Sequence, residues 1–101
     1  MRRIKMAEVW TFAEQRRGML NEVSFELLNR GKRLAEKLNS SLTSVILGYH
    51  MRKDDVDELI SRGADKVLVV DNKHLANFLI EPYTRVLVSL LDEYNPHIFI
   101  A

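Results

Sequence analysis

Four short β-prone apolar runs, separated by segments of helical period, constrain this chain more than any other feature. The runs are Val9-Trp10-Thr11-Phe12-Ala13, Leu42 to Leu47, Lys66 to Val70 and Ile98-Phe99-Ile100. Alternation of strand and helix over this length is the signature of a parallel sheet, since parallel neighbours need long crossover connections. The expected fold is α/β, with about four parallel strands in the doubly wound order 3-2-1-4 between helix layers. The third and fourth runs are apolar on both faces, as strands buried between two helix layers should be.

The intervening segments carry the helix signals. From Val23 to Leu38 the apolar residues Val23, Leu27, Leu28, Leu34, Ala35 and Leu38 recur at gaps that place them on one helical face. Asn21 is the expected cap. Gly31 interrupts this face at about 1 kcal/mol relative to alanine, which implies close approach of helix to sheet. Asp54 and Asp55 suit the start of a short helix through capping and the helix dipole. Its apolar face is Val56, Leu59 and Ile60, and Gly63 is placed to be its left-handed C-terminal cap. Leu75, Ala76, Phe78 and Leu79 are expected to form a short helical turn. Pro82 fits the first turn of a last helix, whose buried face is Tyr83, Val86, Leu87, Leu90, Leu91 and Tyr94. Pro96 stops it. Arg16, Arg17 and Gly18 read as a polar turn after the first strand.

A chain of 101 residues holds one domain, expected at 8–101 behind a basic tail at 1–7 that carries Arg2, Arg3 and Lys5. The 15 Lys and Arg residues against 14 Asp and Glu leave a formal charge of +1, too little for binding nucleic acid by bulk charge. With no cysteine, disulfides, thiolate metal sites and thiol catalysis are excluded. No apolar run approaches the roughly 20 residues of a membrane helix, and Glu8 interrupts any leader-like stretch. A cytoplasmic location without membrane contact is expected.

Motifs for chemistry are sparse. A dinucleotide-binding turn after the first strand needs glycines that let backbone approach a pyrophosphate. That position reads Ala13-Glu14-Gln15-Arg16-Arg17-Gly18, with one glycine and a carboxylate that repels phosphate. No Gly-Lys-Ser/Thr occurs. His50, His74 and His97 are far apart and lack a second ligand at metal-binding spacing. Serines 24, 40, 41, 44, 61 and 89 fall on helices or strands, none in a nucleophile elbow. Asp54, Asp55 and Asp57 could suggest a metal, but helix-start stabilisation explains them more simply. Asp71 and Glu81 lie near strand C-terminal ends, the ligand-binding edge of open α/β folds. Asp71-Asn72 reads as a helix cap and Glu81 as a first-turn carboxylate. Arg16 and Arg17 could meet a partner or only solvate a turn. No catalytic, cofactor-binding or metal residue is assigned.

The order of short phrases says more. Val9-Trp10-Thr11-Phe12-Ala13-Glu14 is followed by Gly18-Met19-Leu20-Asn21-Glu22-Val23-Ser24, Glu26-Leu27-Leu28 and Ala35-Glu36-Lys37-Leu38. Then come Val45-Ile46-Leu47-Gly48, Gly63-Ala64-Asp65-Lys66-Val67, Leu75-Ala76-Asn77-Phe78, Glu81-Pro82-Tyr83-Thr84 and Tyr94-Asn95-Pro96. Across almost all of 8–101 this succession resembles the N-terminal domain of the electron transfer flavoprotein alpha subunit. The resemblance implies a Rossmann-like scaffold that packs against a beta subunit, within a heterodimer that carries electrons from dehydrogenases to an acceptor. It places the FAD in a C-terminal domain, downstream of these residues, so no residue here inherits a flavin contact.

A chain that stops inside the apolar strand Ile98-Phe99-Ile100 is expected to be a fragment, truncated after the fourth strand, rather than a stand-alone relative. Such a strand leaves an unpaired edge, and a homodimer through Ile98, Phe99 and Ile100 is the expected consequence. The switch-point crevice between the first and fourth strands has Glu14 and its neighbours as one wall, and its other wall would begin after Ala101. The leading expectation is a non-catalytic subunit-interaction scaffold. The alternative is a small adenine-nucleotide-binding α/β module, and a flavodoxin-like carrier is a third reading that the chemistry of Glu14-Gln15-Arg16 disfavours.

Overall fold

The computed structural model describes residues 8–16, 19–76 and 80–101. Its strands are β1 (Glu8–Arg16), β2 (Met19–Leu20), β3 (Ser41–Gly48), β4 (Lys66–Asp71) and β5 (Ile98–Ile100). Its α-helices are α1 (Glu22–Leu38), α2 (Lys53–Ser61) and α3 (Ile80–Tyr94), with a single 3₁₀ turn at Lys73–Leu75.

The parallel strands lie in the order β4-β3-β1-β5. Counted among themselves in chain order this is 3-2-1-4, as expected. Val9 pairs with Leu42 on one side and Ile98 on the other, which puts β1 at the centre. Helices α1 and α2 cover one face, where Val9, Ala13, Leu28, Leu42, Ile46 and Leu59 form a buried cluster. On the opposite face α3 covers Trp10, Val45 and Leu47.

Gly31 does what its place in α1 implies. A Cβ there would sit 2.5 Å from Thr11 Cγ2 and 2.9 Å from Leu42 Cδ1, so only glycine lets α1 lie this close to the sheet. Asn21 caps α1 by accepting the Val23 amide at 3.1 Å. Gly63 follows the C-cap residue Arg62 with φ +126°, a backbone that side chains disfavour.

Several expectations need correction. The first strand does not end at Ala13. Glu14, Gln15 and Arg16 continue it, and Gln15 and Arg16 pair antiparallel with Leu20 and Met19. The polar turn expected at Arg16 is therefore strand, while Arg17 and Gly18 lie outside the described residues, as do the basic tail, Phe78 and Leu79. The buried stripe of α1 is Ser24, Leu28, Gly31 and Ala35, with Val23 and Leu38 exposed. Ile60 of α2 is exposed as well. Asp54 and Asp55 lie in the first turn of α2, but the cap residue Arg52 makes no side-chain cap bond. Asp55 is instead buried and receives the Arg52 guanidinium, Nη2 to Oδ1 at 3.2 Å.

The third and fourth parallel strands are not buried on both faces either. No residue of β4 is fully buried, and Val69 is 40% exposed. All three residues of β5 are half-buried. Position in the sheet decides this. Among the described residues β4 pairs only with β3 and β5 only with β1, whereas β3, between two neighbours, is buried from Leu42 to Gly48 despite Thr43 and Ser44.

Candidate functional site

Open α/β sheets bind ligands beyond the C-terminal ends of their strands, at the point where strand order reverses. Here that point lies between β1 and β5, and Glu14 stands beside it. The connection from β1 to α1 is built for anchoring. The Glu14 amide donates to Ser24 Oγ at 2.8 Å, and Ser24 Oγ returns a bond to the Glu14 carbonyl at 3.3 Å. The Asn21 amide also donates to that carbonyl, at 3.0 Å. Ser24 is buried, so its hydroxyl acts as a staple between strand and helix. Two amides at the start of α1, those of Val23 and Ser24, are taken by Asn21 itself. A pyrophosphate cradle needs a short glycine turn with free amides at the helix start. The antiparallel β1–β2 pairing, the Glu14 carboxylate and the occupied amides do not form one.

The loops after β3 and β4 are tied together in the same way. Asp71 accepts the His50 amide at 3.1 Å and the Met51 amide at 2.9 Å. Its carboxylate thus fills the concavity that successive amides form, where an external anion would otherwise be attracted. Asp71 is therefore not a helix cap. Asn72 is the cap, accepting the His74 amide at 2.9 Å. Glu81 sits in the first turn of α3, as expected, and pairs with Arg85 at 2.7 Å.

Tyr83 is buried beneath this edge and donates its hydroxyl to the Leu75 carbonyl at 2.8 Å. Burial, and next the charge of Glu14, push its pKa above the ordinary 10.0. The Tyr49 and His50 rings lie against each other, 3.8 Å between centroids and tilted by 40°, with His50 in the left-handed region at φ +54°.

The residues singled out for chemistry are not brought together. His50 and His74 flank the C-terminal edge, while His97 lies at the opposite end, accepting the Glu8 amide on Nδ1. Among the described residues no group of three His, Asp or Glu side chains could hold a metal. An opening of about 510 Å³ lies near the edge, between the 3₁₀ turn and α3, and is lined by Val70, Asn72, His74, Leu75, Arg85 and Val86, among others. The sequence placed Tyr83 on the buried face of α3 and Ser24 on a helix or strand, but not their hydrogen bonds, which span eight and ten residues.

No helix among the described residues is long and apolar enough to cross a membrane. Comparison with known proteins gives a consistent answer. The electron transfer flavoprotein domain family matches residues 9–101. The chain is 51% identical over 90 residues to an electron transfer flavoprotein subunit alpha of Clostridium acetobutylicum, covering 89% of this chain and 26% of that protein. It is 46% identical over 90 residues to protein FixB of Clostridium saccharobutylicum, with the same coverage of 89% and 26%. It is 34% identical over 93 residues to the acryloyl-CoA reductase electron transfer subunit beta of Anaerotignum propionicum, covering 92% of this chain and 25% of the relative. The chain thus spans about a quarter of the length of these relatives. A collinear match over nearly every described element, on a parallel sheet of the expected order, makes this chain a member of the electron transfer flavoprotein family.

Proposed function

We propose that residues 8–101 are the N-terminal Rossmann-like domain of an electron transfer flavoprotein alpha subunit, and that their task is to scaffold and dock, not to catalyse. In this reading the FAD is held by a C-terminal domain outside these residues. The beta subunit packs against this domain, and the assembly carries electrons from dehydrogenases to an acceptor in the cytoplasm. One observation carries the proposal: the edge where an open α/β sheet would bind a nucleotide is closed by the chain's own groups. Ser24 and Asn21 engage the β1–α1 turn, and Asp71 engages the amides after β3.

Calorimetric titration of the 101-residue chain with FAD and with AMP tests this. No saturable heat with either and no visible flavin absorbance are expected. Stoichiometric AMP binding would favour the adenine-nucleotide module instead, and flavin binding would favour a flavodoxin-like carrier.

Self-association of the isolated chain through Ile98, Phe99 and Ile100 belongs to the same proposal. It is supported by β5 pairing on one side only among the described residues, since an open strand edge is a template for pairing. Sedimentation velocity over a concentration series is expected to show a dimer that Phe99→Lys abolishes. A monomer at every concentration would contradict it.

A further inference from the structure

β5 is three residues long and sits at one edge of the described sheet. What holds its entry to β1 is a reciprocal pair of hydrogen bonds between residues 89 apart. The Glu8 amide donates to His97 Nδ1 at 3.2 Å, and the His97 amide donates to the Glu8 carbonyl at 3.0 Å. Directly beyond this pair begins the β1–β5 register, with Val9 opposite Ile98.

The first of these bonds has a chemical condition. An imidazole nitrogen accepts a hydrogen bond only through its lone pair, so Nδ1 must be unprotonated and the ring proton must sit on Nε2. A proton added at Nδ1 turns the acceptor into a donor, and two donors then face each other at the mouth of β5. We propose that His97 is a pH-sensitive clasp, holding β5 on β1 while its imidazole is neutral and loosening this edge strand when the imidazole is protonated.

The surrounding charges do not remake the lost bond. On β1 the Glu8 carboxylate is engaged by Lys66 of β4, Nζ to Oε1 at 3.4 Å. The last turn of α3, which leads into His97 through Asn95 and Pro96, carries Asp92, Glu93 and Tyr94. The Glu8 amide keeps its proton across this pH range, so it stays a donor and cannot become the acceptor for a protonated Nδ1. The consequence is local. β5 has only three register pairs to β1, and β1 keeps its longer ladder to β3.

Amide hydrogen exchange of the 101-residue chain tests the clasp between about pH 8 and about pH 5, the interval in which imidazoles change charge. Protection is expressed against unstructured peptide rates at each pH. At the lower pH the Glu8 amide and the β5 amides are expected to lose protection by about fivefold or more relative to those of α1. In His97→Asn the side-chain oxygen stands the same number of bonds from Cα as Nδ1 and has no proton to gain, so protection is expected to stay level. Protection that is level in the wild-type chain, or that falls equally in His97→Asn, would overturn the proposal. Imidazole nitrogen chemical shifts give a readout that needs no variant. The Nε2–H tautomer is expected at the higher pH, and the Nδ1–H tautomer would overturn the clasp.

Discussion

Gly31→Ala is expected to destabilise the fold by about 2 kcal/mol, although alanine is the better helix former. Taken alone, helix propensity would stabilise the variant by about 1 kcal/mol. The added methyl would lie 2.5 Å from Thr11 Cγ2 and 2.9 Å from Leu42 Cδ1, and such overpacking typically costs about 1–3 kcal/mol. Thr11 is the harder obstacle. It is buried on the central strand, and its β-branched side chain has little rotamer freedom. Leu42 can swing a terminal methyl aside. This asymmetry gives the prediction a second arm. Thr11→Ser removes the Cγ2 methyl, so Gly31→Ala made in that background is expected to cost less, by about 1 kcal/mol or more. Urea denaturation of the four proteins in this cycle measures both effects. A stabilised Gly31→Ala, or strict additivity with Thr11→Ser, would show that α1 does not rest on β1 as described.

Tyr83→Phe is expected to cost about 1–3 kcal/mol near neutral pH, through loss of the buried bond to the Leu75 carbonyl. That bond, 2.8 Å long, joins α3 to the 3₁₀ turn. The effect depends on pH in a definite direction. Burial, followed by the negative charge of Glu14, raises the folded-state pKa of Tyr83 above 10.0. The phenol's contribution is therefore complete below 10.0, the value of the unfolded chain. It declines as pH climbs from there through the higher folded-state value. The stability difference between wild type and Tyr83→Phe is thus expected to be constant up to that point and to narrow beyond it. Thermal unfolding of both proteins across the alkaline range checks this, and a difference that stays constant throughout would contradict the placement of Tyr83.

Residues whose roles depend on their sequence neighbours were legible in the chain. Asn21 two residues before Val23 is a cap in any helix start, Gly63 ends α2 because only its backbone tolerates φ +126°, and Gly31 on a buried stripe announces close contact. What escaped notice depends on the third dimension. The Val67 to Val70 run is as apolar as a central strand, yet it lies at the described sheet's edge on β4 and stays half-open, while the more polar Leu42 to Gly48 is fully buried between β1 and β4. Periodicity also nominated Val23 and Leu38, which point away from the sheet, and missed Ser24, which counts as polar in any hydrophobic pattern but is buried. At the candidate site, the absent glycine pattern was visible in Glu14-Gln15-Arg16, which the structure places at the end of β1. That Asp71 fills the amides of His50 and Met51 was not, because the contact spans 21 and 20 residues.

The proposal that this domain docks rests on these closures at the C-terminal edge, and a mixing experiment addresses it directly. The 101-residue chain is combined with the beta subunit of a clostridial electron transfer flavoprotein, and sedimentation velocity is recorded over a concentration series. A one-to-one complex that forms without added flavin or nucleotide is expected. Two species sedimenting independently at every concentration, with the chain folded by circular dichroism, would contradict it.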